Sequence, residues 1–130
     1  MKKIVIATDQ APSVVGPYSQ ALAAGHLVFV SGQIPMDVQG RMVEGDIVVQ
    51  TVQVIQNLKA ILAAADLNLQ DVVKTTVYLT DMANFMEMNR TYGEFFLEHP
   101  PARTTIQAAG LPRGVSVEID AVAVKKEWHS

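Results

Sequence analysis

The sequence contains no cysteine. That excludes a disulfide framework, a thiolate metal site and a thiol nucleophile. Charge is also scarce: Asp, Glu, Lys and Arg make up 18% of the 130 residues, and the formal net charge is −3. Basic residues cluster no further than pairs such as Lys125-Lys126, beside Glu127, so a nucleic-acid partner held by a broad positive field is not expected. No apolar run approaches the roughly 20 residues that a membrane helix needs. The start, Lys2-Lys3-Ile4-Val5-Ile6-Ala7, imitates a signal peptide but reaches Thr8-Asp9 too soon for a secretory apolar region. A cytoplasmic protein is expected. His26, His99 and His129 lie far apart in turns and at the tail, without metal-ligand spacing on one element. There is no Gly-x-x-x-x-Gly-Lys phosphate loop, and no Ser-His-Asp arrangement suggests itself.

Apolar residues, by contrast, are plentiful at 49%. The length corresponds to one domain, residues 1–130. So few charges cover a small surface poorly, and a homo-oligomer that hides apolar area is expected. Residues 3–7 are rich in β-formers, and 10–18 form a loop marked by Pro12, Gly16 and Pro17. Residues 19–24 and 27–31 flank Gly25-His26 as a hairpin. Val48, Val52, Ile55, Leu62 and Ala65 recur at helical steps, so a helix is predicted over 46–65 with Asp46 as its cap. A strand is predicted over 72–79, with Val73, Thr75, Val77 and Leu79 on one face. A second helix, 83–98, carries Phe85, Met88, Tyr92 and Phe96 and stops at Pro100-Pro101. Strands over 103–109 and 115–125 follow. The order β-β-β-α-β-α-β-β implies an α+β fold, a mixed sheet with both helices on one face. The other face is then left for a partner, such as another subunit.

Two charges interrupt the apolar strands. Arg103 sits in Pro101-Ala102-Arg103-Thr104-Thr105, and Glu118 sits in Val117-Glu118-Ile119-Asp120-Ala121. A guanidinium among apolar strand residues is costly unless an anion meets it, and its planar fork fits a carboxylate. A glutamate near it could carry out proton chemistry.

Several stretches, in order along nearly the whole chain, decide a family. They are Gly16-Pro17-Tyr18-Ser19-Gln20-Ala21, Val30-Ser31-Gly32-Gln33-Ile34-Pro35, Val73-Lys74-Thr75-Thr76-Val77-Tyr78-Leu79, Met88-Asn89-Arg90-Thr91-Tyr92, Pro101-Ala102-Arg103 and Leu111-Pro112-Arg113-Gly114-Val115, continuing through Val117-Glu118-Ile119-Asp120-Ala121-Val122-Ala123. In these the chain resembles the RidA (YjgF/UK114-type) family of reactive-intermediate imine deaminases.

The resemblance implies a chorismate-mutase-like homotrimer with ligand clefts between subunits. It implies hydrolysis of 2-iminobutanoate and 2-iminopropanoate, released by pyridoxal-phosphate-dependent dehydratases such as threonine dehydratase, to 2-keto acids and ammonia. No cofactor or metal is implied. Arg103 matches the carboxylate-binding arginine, and Glu118 the acid near the attacked carbon. Tyr18 matches a cleft tyrosine, Asn89 a cleft asparagine, and Ser31-Gly32 a strand end that approaches the ligand. Many relatives carry cysteine where this chain has Thr105; its backbone N–H could still serve the carboxylate, while thiol-dependent behaviour is lost. Two rival readings use the same features: a non-catalytic trimeric sensor of small carboxylic or keto acids, and a translation-inhibitor, ribonuclease or chaperone-type role.

Overall fold

The computed structural model describes residues 2–126; His129 lies outside them. One six-stranded sheet runs in the order β1-β2-β3-β6-β4-β5. Its strands are β1 (Lys3–Ile6), β2 (Ala21–Ala24), β3 (Leu27–Gln33), β4 (Val72–Leu79), β5 (Ala102–Gln107) and β6 (Val117–Val124). All neighbours are antiparallel except β4 and β5, whose connection passes through a helix. The expected order of elements and the α+β class hold.

Helix α1 (Ile47–Ala63) begins where expected, because Asp46 accepts from the Val49 N–H at 3.1 Å. It buries Ile47, Thr51, Val54, Ile55, Leu58, Ile61 and Leu62 at three- and four-residue steps. These residues meet the inward face of the sheet: Ala21, Ala23, Val28, Val30, Val77, Val117, Ile119, Ala121 and Ala123. The alanines on β2 and β6 leave room for a helix to approach the sheet closely. Helix α2 (Phe85–Phe95) packs against α1 on that side and contributes Met88 and Tyr92 to the core. Both helices therefore cover one face. The other face leaves Leu27, Phe29 and Ile106 more than 40% exposed. Leu22, Val122 and Val124 lie beside them, partly covered.

Two local expectations fail. Val73 is exposed and Val72 is buried, because the β4–β6 register shifts between Val72 and Lys74. Such a bulge reverses the alternation for residues before it. Helix α2 is also shorter than 83–98. Asp81 caps a single 3-10 turn, Met82–Asn84, ahead of it. At the far end Phe96 leaves helical geometry and stacks its ring on Tyr92, with centroids 4.5 Å apart.

Candidate active site

One cavity of about 340 Å³ opens beside β3 and β6. Its lining includes Tyr18, Ser31, Gly32 and Glu118, with Ile34, Met36, Pro112 and Arg113 around them. Each wall has a local cause. The loop before β2 is tied down by Gln20, whose buried amide donates to the Thr8 and Pro12 carbonyls at 3.1 and 2.9 Å and accepts from the Thr8 N–H at 2.7 Å. Ser31 fastens that loop to β3 by donating its hydroxyl to Ser19 O at 2.6 Å. Opposite, the Asn57 side chain of α1 donates to the carbonyls of Ile34 and Met36 at 3.1 and 3.0 Å. That pair of bonds fixes the apolar wall against the helix.

Ser31 and Gly32 lie where the β3–β6 register breaks, between Val30 and Gln33. The break turns the Gly32 backbone toward Glu118. A Cβ built on Gly32 would overlap Glu118 Oε2 and stand 2.9 Å from Cδ. Glycine here lets the carboxylate keep this position; a methyl group would push the flexible end of Glu118 aside. Glu118 is half-buried, and burial pushes its carboxyl above the ordinary glutamate value, with the nearby Asp120 charge adding to the rise. A carboxyl raised in this way can hold and return a proton, as acid–base catalysis requires.

Arg103 lies elsewhere. Its strand, β5, is the edge of the sheet, which lets the guanidinium reach solvent. In the parallel register Arg103 pairs with Thr75, and Thr105 with Val77, so both side chains share the helix-covered face. There Arg103 Nη2 donates to Asn89 Oδ1 at 2.7 Å. Its Cζ sits 4.8 Å from the Tyr92 ring centroid and 5.8 Å from that of Phe85, within cation–π range. Tyr92 is held in turn by a 2.7 Å hydroxyl bond to Thr75. Burial pushes the Tyr92 phenol up, opposed by that bond and by the Arg103 charge. The buried Thr105 hydroxyl oxygen has no hydrogen-bond partner among the described residues.

The expected site residues thus fall into two groups. Tyr18, Ser31, Gly32 and Glu118 share the cavity, whereas Asn89, Arg103 and Thr105 form a cluster at the β5 edge. Glu118 pairs with Tyr78, three residues beyond the Thr75 that pairs with Arg103, so the two charges face opposite sides of the sheet. They also stand two strands apart, roughly 10 Å by ordinary strand spacing. The expectation of a glutamate beside Arg103 is therefore not met within one chain. Sequence reasoning also passed over Arg113, which lines the cavity with φ at +61°, a conformation uncommon outside glycine. Its place between Pro112 and Gly114 was the available signal for a tight turn.

A model of the endoribonuclease L-PSP family matches residues 8–125. The chain belongs to this family, the YjgF/RidA group. Among L-PSP family relatives, a RutC family protein of Pyrococcus horikoshii is 51% identical over 125 residues, covering 95% of this chain and 99% of the relative. The 2-iminobutanoate/2-iminopropanoate deaminase of Salmonella typhimurium is 44% identical over 124 residues, covering 93% of this chain and 97% of that one. The crystal structure of the yjgF gene product of Escherichia coli matches with a TM-score of 0.89 at 42% identity, covering 95% and 99% of the two chains. Among the described residues no helix is long and apolar enough to cross a membrane.

Proposed function

We propose that the protein hydrolyses small 2-imino acids, 2-iminobutanoate and 2-iminopropanoate above all, to 2-keto acids and ammonia. It does so as a homotrimer whose clefts lie between subunits. One observation carries this reading: Arg103 and Glu118 face opposite sides of the sheet. In a 2-imino acid the carboxylate and the imine carbon are bonded to each other, so one molecule can meet both groups only where the Arg103 edge of one copy meets the Glu118 cavity of another. The uncovered apolar face, with Phe29 and Leu27, supports association. The deaminase named in Salmonella typhimurium supports the chemistry.

Arg103 forks the substrate carboxylate, with Asn89 and the Tyr92 ring keeping the guanidinium in place. The Thr105 N–H borders the same carboxylate, while its buried hydroxyl does not reach it. Ser31 and Gly32 form the near wall, and Tyr18 closes the cleft. Water adds through its oxygen to the imine carbon, and its proton passes by way of Glu118 to nitrogen, giving a carbinolamine. The remaining hydroxyl proton follows the same route. The C–N bond breaks, ammonia leaves, the carbonyl forms and Glu118 ends as it began. Imines hydrolyse unaided, so orientation and proton transfer suffice.

The test is direct. Threonine dehydratase generates 2-iminobutanoate, and the appearance of 2-ketobutanoate is timed with and without the protein. Wild type should accelerate it, and Arg103→Ala and Glu118→Ala should not. No acceleration by wild type would defeat the enzyme reading and leave a sensor of small carboxylic acids.

A further inference from the structure

Glu118 is not the only carboxylate on its face. Asp120 follows two residues later along β6 and points the same way. Tyr78 spans the pair: its backbone is in register with Glu118, and its hydroxyl donates to Asp120 Oδ2 at 3.0 Å. Burial, the bond to Asp120 and the charges of Asp120 and Glu118 all push the Tyr78 phenol up, so it remains a donor through the working range. The other charged or titratable groups on this side are committed elsewhere or lie at the rim. Lys74 on β4 directs its ammonium to Thr75 O at 2.9 Å, Thr104 Oγ1 at 3.1 Å and, at 3.5 Å, the hydroxyl of Thr76, which is the register partner of Asp120. Arg113 and Tyr18 stand on the cavity lining, and β3 contributes only Ser31, Gly32 and Gln33 there. Among the described residues neither Glu118 nor Asp120 enters an ion pair.

We infer that Asp120, two residues along the same strand face and held in place by Tyr78, is a positioning residue that makes Glu118 the proton carrier between water and the imine nitrogen. Two carboxylates on one strand face, with no cation of the same copy between them, disfavour double ionisation, and the Arg103 of a neighbouring copy is engaged by the substrate carboxylate. Tyr78 fixes the place of the Asp120 carboxylate by its hydroxyl bond, while the half-buried Glu118 carboxyl faces the cavity and is the one raised. The direction found for Glu118, raised first by burial and then by Asp120, agrees with this division. The inference rests on the deaminase reading for its catalytic meaning, but the coupling itself can be measured without substrate.

The experiment pairs two readouts on the whole protein. The Glu118 carboxyl carbon is titrated by ¹³C NMR, and kcat/KM on 2-iminobutanoate is followed against pH, in wild type, Asp120→Asn and Asp120→Glu. In Asp120→Asn both the Glu118 midpoint and the acidic limb of the profile should move to lower pH, yet stay above an ordinary glutamate because burial persists. Asp120→Glu, which keeps the charge, should restore much of the wild-type position. An unmoved midpoint in Asp120→Asn would overturn the inference, as would a glutamate at 120 that behaves like asparagine. Asp120→Ser carries the same test if the asparagine variant does not fold. Should wild type hydrolyse no imine, the deaminase reading falls while the NMR titration still decides the coupling.

Discussion

At position 32 a single hydrogen in place of a methyl group gives the Glu118 carboxylate its space. Gly32→Ala should displace the Glu118 carboxylate with little loss of stability, because the flexible end of that side chain can swing into the adjoining cavity. It should lower deaminase activity by about 100-fold, the scale of a misplaced reacting group. Keto-acid timing and thermal unfolding of the same variant check both. Arg103→Lys keeps the charge but loses the fork, which removes a charged hydrogen bond of about 1.5–3 kcal/mol and hence about 10- to 100-fold in kcat/KM. Glu118 also makes stability depend on pH. Its carboxyl is raised in the folded state, so the unfolded chain ionises first as pH rises. The native state should lose stability through the ordinary glutamate range up to the raised value, and the loss should then stay constant. Glu118→Gln should therefore be more stable than wild type near neutrality and equal to it at low pH, as urea midpoints would show. Arg103 and Glu118 were legible as candidates in their motifs. The reason for Gly32 was not, because it depends on a register break between strands distant in sequence.

Among the elements, α2 and β5 hold the arginine together. The Tyr92 hydroxyl bonds to Thr75 on the neighbouring strand, and its ring lies under Arg103. Tyr92→Phe keeps the ring but leaves the fully buried Thr75 hydroxyl without its partner. A loss of about 1–3 kcal/mol is expected, read as a lower urea midpoint, with substrate affinity largely kept because the cation–π surface remains. The long elements were legible because their periodicity is strong: α1 starts at its Asp46 cap, and β6 alternates without error. The short irregularities were not. The bulge at 72–74 and the 3-10 turn at Met82–Asn84 arise from pairing and capping that apolar periodicity does not encode. Arg103 seemed an odd charge in a strand because the sequence does not reveal that its strand is the sheet edge.

For the molecule as a whole, the sheet places the two candidate charges on opposite faces. One face, under the helices, carries Arg103; the other, uncovered, carries Glu118 and a run of apolar side chains. Phe29→Glu on the open face should give a folded but smaller species in sedimentation, with deaminase activity lost along with assembly. A folded, fully active monomer would refute shared clefts. The most direct test mixes two inactive variants, Arg103→Ala and Glu118→Ala, unfolds and refolds them together, and measures 2-iminobutanoate hydrolysis. If each cleft takes its arginine from one copy and its glutamate from another, random assembly restores intact clefts in about a quarter of cases. Activity should therefore return to about that fraction of wild type, and no recovery from well-folded mixed oligomers would contradict the account.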